Sequence, residues 1–473
     1  MVFGLFKKKD TADLILENAH IFTQNPVLPW AEAVACKDGK IVYLGNSQGA
    51  EKYKSEETQV YDLNGKFVYP GFINTHSHPV ISGFDAMYLD LSYVESPEEA
   101  CAAVAAYMED RPDRESYFGF GFSDSLLEGK NQDEMTAMLD EISAEKPVLL
   151  VNSGESVIWG NTKAVETIRS EAREDGRLYI NLEYCLQVID PLDYDDLVDN
   201  MNQIAERYSA KGYTSVVNTG APEFMNTIYQ NMLLSTHQEE SLKHRYFDSY
   251  SCAVGAKAEN VLKRLMDKRL RSLEVGDVIN CNLLRMDVKA TEVESQEDRD
   301  NFQRILESVS ERNFSIYLQA DTRGDLTLAL EAVETLRSRG YRKNSVMIST
   351  DVDFRTVPGI NDMELENVHF MPSLSEDKDE IWLQCQDAKN AEEFLDRLTI
   401  DPAIAMGEED KIGSLKLGME ADMAVFDSDL LQMPLDQLRR QLSDMVIMHG
   451  EVVYDVEADN EREMYQLMSG MHI

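Results

Sequence analysis

His76 and His78 stand one residue apart in VYPGFINTHSHPV, residues 68–80, at the end of an apolar run. Side chains alternate along an extended strand, so both imidazoles project to one face, where they can ligate a single divalent metal. Two imidazoles and one carboxylate make an open catalytic zinc set, and the sequence offers strand-end acids to complete it. Asp321 and Asp351 directly follow the apolar runs SIYLQ and SVMIS, and either is expected to serve as third ligand or proton shuttle. Glu155, Asn218 and Gln319 also end apolar runs and are expected to line a substrate pocket, Glu155 as a polar wall. The bland alternative for each acid is a solvated loop residue. Of the remaining histidines, His20, His237, His244, His369, His449 and His472, only His244 and His369 fall on or beside core-like strands.

Residues of this kind need a scaffold that brings several strand ends together. YFGFGF, PVLLVNS, TSVVNTG, RYFDSYS, SIYLQAD, SVMIST and NVHFMPS are short apolar runs, and they alternate with helical stretches such as SPEEACAAVAAYMED and LTLALEAVETLRSRG. That alternation marks a parallel sheet covered by helices. Roughly eight such strands over some 300 residues favour a (β/α)8 barrel, whose chemistry lies at the C-terminal strand ends. The first seventy residues are different. ADLILENAHIFT and AVACKDGKIVYLGN read as short strands with KDGK as a hairpin turn, and the C-terminal MAVFD and MVIMHGEVVYD read the same way. The expected architecture is therefore α/β: a TIM-like barrel over 71–412, and a small β-sandwich domain formed from both chain termini, 1–70 and 413–473. Pro70-Gly71 marks the entry from one to the other. RGD at 323–325 reads as a helix start, with Asp325 near the positive end of the helix dipole.

The 473 residues carry Lys+Arg 45 against Asp+Glu 86, a net charge of −41. Binding a phosphate backbone depends on Lys and Arg displacing counterions, so this balance argues against nucleic acid and against an anionic membrane surface. No apolar stretch approaches the roughly 18 residues of a membrane span. MVFGLFKKKD has the wrong order of charge and apolarity for a signal peptide, so a cytoplasmic location is expected. The six cysteines are widely spaced, with no CxxC pair, which indicates neither a disulfide framework nor a zinc knuckle. The expected partner is a small-molecule substrate or ligand. A homodimer is a further expectation that no particular patch supports.

ADLILENAHIFT, KDGKIVYLG and PGFINTHSHP, followed near the end by DPAIAMGEEDKIGSLKLGMEADMAVFD and HGEVVYD, resemble the amidohydrolase superfamily. The branch they resemble holds N-substituted formamide deformylases and exoenzyme regulatory proteins, and AKGYTSVVNTG and SIYLQADTRGDLTLALEAVE follow its order. The resemblance implies a barrel with one or two divalent metals, usually zinc, that activate water against a C–N bond. It also marks departures. Asn74 stands where the family usually has aspartate, and Glu155, Gln319 and Thr350 stand where it tends to have histidine. No lysine is placed to bridge two metals, and no Ser-Asp pair follows NVHFMPS. Two readings stay open: a divergent metal-dependent hydrolase of small amides, mononuclear at His76 and His78, or a non-catalytic protein of the same fold that lost its metal and binds a small molecule or regulatory partner.

Overall fold

The computed structural model describes residues 11–79, 88–127, 129–152, 158–170, 189, 194–220, 225–239, 241–371 and 388–458. The chain divides into two compact units, Met1–His78 with Ala205–Gly220 and Leu233–Ile473, and Pro79–Ile204 with Ala221–Met232.

The described residues of the first unit form three sheets. One is built from β1 (Leu14–Glu17), β4 (Ala33–Lys37), β5 (Lys40–Gly45) and β6 (Gln59–Asp62), in the order β5-β4-β1-β6. The second joins β2 (His20–Phe22), β3 (Trp30–Ala31) and β7 (Phe67–Pro70) to the late strands β19 (Met423–Phe426), β20 (Met445–Met448) and β21 (Glu451–Asp455). Leu14 and Leu16 share an apolar core with Val68, Met423, Val425 and Ile447, so strands from the two ends of the sequence bury one another. KDGK forms the hairpin its residues demand. Asp38 and Gly39 both have positive φ, 47° and 75°, which a two-residue turn between twisted strands requires. A Cβ on Gly39 would lie 2.1 Å from the His449 ring, so the turn also needs the missing side chain.

The third sheet is parallel and has seven strands: β8 (Phe72–Ser77), β13 (Tyr213–Asn218), β14 (Arg245–Ala253), β15 (Ile279–Asp287), β16 (Ser315–Gln319), β17 (Val346–Ser349) and β18 (Val368–Met371). Its order runs consecutively from β18 through β13 to β8. One face, with Leu284, Ile316, Leu318 and Ile348, packs on the helices Ala258–Ser272, Gln296–Ser310 and Arg323–Ser338. The other, with Ile73, Val217, Phe247, Leu283, Tyr317 and Met347, closes over Ala403, Ala405 and Met406. RGD begins a helix as its pattern suggests: Thr322 is the N-cap and Asp325 completes a capping box.

Two of the expected barrel strands lie elsewhere. YFGFGF and VLLVN form β10 (Tyr117–Phe122) and β11 (Val148–Asn152) of a separate sheet in the second unit, with β9 (Leu89–Asp90) and β12 (Ile158–Gly160). β12 runs antiparallel to β11. Apolar content identifies a buried strand but does not say which sheet it joins. Conversely β15, INCNLLRMD, is missing from the apolar runs because polar residues alternate through it.

Candidate functional site

β8 delivers the two imidazoles with the help of an irregularity. Val216 pairs with Asn74 but Asn218 pairs with Ser77, so β8 spends one more residue than β13 over this step, a β-bulge. The Asn74 side chain accepts the backbone N–H of His76 at 3.1 Å. The bulge turns His76 and His78 to the face that carries Ile73, while the Ser77 hydroxyl donates to the Val217 carbonyl on the neighbouring strand.

The rings meet edge to face, with centroids 5.0 Å apart, and their Nε2 atoms lie 3.2 Å from each other. Each ring is held from behind. His78 Nδ1–H donates to the Gly220 carbonyl at 2.8 Å, which leaves Nε2 with its lone pair. His76 Nδ1 faces the Tyr317 hydroxyl at 2.9 Å, and Ser349 hydrogen-bonds the same hydroxyl. Burial, then His78 and the Arg285 guanidinium, push the His76 imidazole down to about 3. Burial lowers His78 too, with Arg285 adding to it and the Gly220 carbonyl opposing it. Both rings are thus neutral, the form that ligates metal. Burial raises the Tyr317 phenol to about 12, which keeps its proton on.

With metal–nitrogen bonds of about 2.05 Å, an Nε2–Nε2 separation of 3.2 Å subtends roughly 100°, close to a tetrahedral edge. The pair therefore fits two corners of a metal site. Among the described residues no group of three His, Cys, Asp or Glu side chains is placed to hold an ion, so neither expected acid supplies the third corner. Asp321 is exposed, ion-paired to Lys289 at 2.7 Å, and accepts the Gln319 side-chain amide at 2.7 Å. Asp351 is exposed in the bend after β17. Strand-end position makes these acids candidates, but Lys289 already pairs with Asp321.

Asn218 is not a pocket wall. It is 1% exposed, donates to Asp248 at 2.9 Å and accepts the Gly220 N–H at 3.3 Å, so it braces the loop that positions His78. Asp248 in turn pairs with buried Lys268 of the helix Ala258–Ser272 at 2.5 Å. Gln319 remains on the face of Tyr317, two residues along β16, and Glu155 lies outside the described residues. His244 is fully buried, with Nε2 3.3 Å from the Ser209 hydroxyl near the start of β14, which is a structural position. His369 is half-buried on β18 opposite Met347.

Arg285 and Asp287 on β15 were not expected here. Their side chains pair at 2.6 Å, and register sets Arg285 between Ser251 of β14 and Tyr317 of β16. The signal was present in LLRMD: two charges at period two on the end of a strand point to one face.

No helix among the described residues is long and apolar enough to cross a membrane. The Amidohydrolase family model matches residues 59–369 and 368–454. An exoenzymes regulatory protein, AepA, of Pectobacterium carotovorum is 26% identical over 312 residues, which are 61% of this chain and 66% of that protein. An N-substituted formamide deformylase of Arthrobacter pascens is 23% identical over 158 residues, 33% of this chain and 29% of that one. The matched stretches thus span less than two thirds of these relatives. Among solved structures, an uncharacterized metal-dependent hydrolase of Pyrococcus horikoshii superposes with a TM-score of 0.56 at 18% identity, covering 89% of this chain and 98% of its own. An adenosine deaminase of Xanthomonas campestris with bound zinc gives 0.53 at 13%, covering 98% and 99%. At such identities the superpositions speak for the fold, a TIM-like α/β barrel. With the family model spanning most of the sequence, this chain belongs to the amidohydrolase family.

Proposed function

We propose that the chain is a metal-dependent hydrolase that cleaves a C–N bond in a small amide or cyclic amide, with His76 and His78 holding one divalent ion, zinc in the first instance. The observation that carries this reading is the convergence of two neutral imidazoles, Nε2 to Nε2 at 3.2 Å, each oriented by a partner at Nδ1. Orienting partners of this kind fix tautomer and ring direction, as they do for metal-ligating histidines. A metal held there supplies a water of lowered pKa. The protein's own groups do the rest: Gly220 and Tyr317 fix the rings, and Arg285, beside the pair, offers positive charge to an anionic group. Asp351 or Asp321 is proposed to move the proton, and Gln319 and Glu155 to contact the substrate. In this reading the barrel is drawn from 71–412, a span that also holds the separate β9–β12 sheet, and the two sheets at the chain ends are a β-sandwich domain of the kind read from the sequence.

A second reading has its own support. The described donor set ends at two imidazoles, and a guanidinium sits beside them, an arrangement that weakens cation binding. In that reading the chain is a binding protein without turnover. Elemental analysis of protein purified without chelator separates the two, together with hydrolysis of a panel of formamides and cyclic amides. Stoichiometric metal and turnover that both vanish in His76→Ala support the hydrolase. Protein free of zinc, manganese, iron and nickel refutes it.

A further inference from the structure

β14 and β15 place a second set of polar groups on the same face as the histidines, and their chemistry is that of an anion receptor. Ser251 and Arg285 are register partners on adjacent parallel strands. Both crowd Gly220, the residue whose carbonyl orients His78: a Cβ built there would lie 2.8 Å from Ser251 Oγ, 3.1 Å from Arg285 Cδ and 3.2 Å from Arg285 Nε. Gly220 has φ of +130°, so this close approach is reserved for glycine.

The donors in this corner are buried and unused. Arg285 Nε, Ser251 Oγ and, on the same strand as Ser251, Ser249 Oγ have no hydrogen-bond partner among the described residues. Ser249 is fully buried and Ser251 is 8% exposed. A buried donor without an acceptor is costly, so the two beside Gly220, with Ser249 one strand period further back on β14, call for a ligand that accepts. Asp287 takes only the Nη1 side of the guanidinium, at 2.6 Å. Nε meets no acceptor among the described residues, and the Nε–Nη2 edge of a guanidinium matches a carboxylate with two parallel N–H donors. The Arg285 side chain is 18% exposed, enough for a small molecule to reach it and too little for bulk water to screen it fully. In a chain of net charge −41, a fixed local cation offsets the surrounding negative potential for an anionic ligand.

We propose that Arg285 and Ser251 form a carboxylate-binding subsite beside the His76–His78 pair, so that the amide handled there carries a carboxylate on its skeleton. This rests on the hydrolase reading for the word amide; the anion subsite itself does not.

The test uses succinamate and its neutral analogue succinamide as probes, with binding to the full chain followed by saturation-transfer NMR and calorimetry. Wild type is expected to bind succinamate at least tenfold more tightly than succinamide. Arg285→Met is expected to lose that preference by 10- to 100-fold while succinamide binding stays within twofold, the range for a hydrogen bond to a charged group. Ser251→Ala guards against a misfolded arginine variant: it removes a buried hydroxyl without a partner among the described residues, so it is expected to keep or raise the urea midpoint and weaken succinamate three- to tenfold. Equal binding of the two probes by wild type, or succinamate binding indifferent to both substitutions, overturns the subsite. Metal content measured on the same preparations keeps the two readings apart, since metal-free protein that still shows Arg285-dependent binding refutes the hydrolase and leaves the subsite standing.

Discussion

Replacing Tyr317 with phenylalanine removes one oxygen from the site and leaves the core shape intact, since the ring stays packed among Ile73, Val217, Phe247 and Met347. That oxygen is the partner of His76 Nδ1 among the described residues, at 2.9 Å, and Ser349 bonds it on the other side. In the metal-free protein the Ser349 hydroxyl donates to Tyr317 and Tyr317 donates to Nδ1, which puts the His76 proton on Nε2, facing His78. A metal at Nε2 requires the reverse, with Nδ1–H donating to Tyr317. A hydroxyl pair can reverse in place because each hydroxyl both donates and accepts; a phenyl ring cannot do either. The expected loss of metal affinity in Tyr317→Phe is therefore about 10- to 100-fold, or roughly 1.4–2.8 kcal/mol. At a free zinc concentration about 100 times the wild-type Kd, bound metal adds ~2.7 kcal/mol to folding stability, and a 100-fold weaker variant at the same concentration retains only ~0.4. Urea unfolding with buffered zinc and with chelator reads this difference directly, and a competing chromophoric chelator gives the Kd. Chelated Tyr317→Phe is expected to be less stable than chelated wild type by about 1–3 kcal/mol, because Nδ1 is left buried without a donor. A variant whose zinc-linked stabilisation matches wild type would refute the claim that Tyr317 orients His76 for metal.

Gly220→Ala is expected to destabilise by about 1–3 kcal/mol and to lower metal occupancy, since the new Cβ meets Ser251 and Arg285 and the φ of +130° is strained for any side chain; urea unfolding and elemental analysis check both. Arg245 is 2% exposed and reaches Glu420 at 2.9 Å and Asp422 at 3.1 Å, tying β14 to the segment before β19, so Arg245→Met should cost about 3 kcal/mol by leaving buried Asp422 without a cation and Glu420 with only Lys40 and His449. The triple variant with Glu420→Gln and Asp422→Asn should recover most of that cost; a triple as unstable as the single would show that the ion pairs are not the cause. Burial pushes the Glu420 carboxyl up, but His449, Arg245 and Lys40 together hold it down, from 4.5 to about 2. A depressed acid stabilises above its unfolded pKa and loses that contribution as pH falls through the folded one, here between about 4.5 and 2, for roughly 3 kcal/mol. The stability gap between wild type and Glu420→Gln should shrink across that window, and a gap that does not change with pH would count against the network.

The fold was legible where local chemistry decides it. KDGK gave its hairpin because only a turn with two positive φ values joins adjacent twisted strands, and RGD gave its helix start because Thr322 and Asp325 satisfy each other's backbone. Strand existence was legible too, from apolar runs. Sheet membership was not, because β10 and β11 are as apolar as β16 and β17, and hydrogen-bond partners far along the chain leave no mark on composition.

The site divides along the same line. His76 and His78 could be read because a two-residue spacing survives the bulge that redirects them. Their orienting groups could not: Gly220 arrives from β13's loop and Tyr317 from β16, and no spacing in the sequence links residues 140 or 240 positions away to an imidazole nitrogen. Asn218 went from wall to brace for the same reason, since its partner Asp248 belongs to the next strand and to a helix lysine beyond it. The acids failed as ligands through competition. In a chain with 86 acidic residues, position after a strand is cheap, and what separates a ligand from a loop residue is whether a cation already answers it, as Lys289 answers Asp321. Cations are the scarcer signal in such a sequence. Arg285, set at period two with Asp287 at the end of β15, is therefore the residue a sharper reading would have singled out: a partly buried arginine that Asp287 meets only at Nη1 keeps Nε without an acceptor among the described residues.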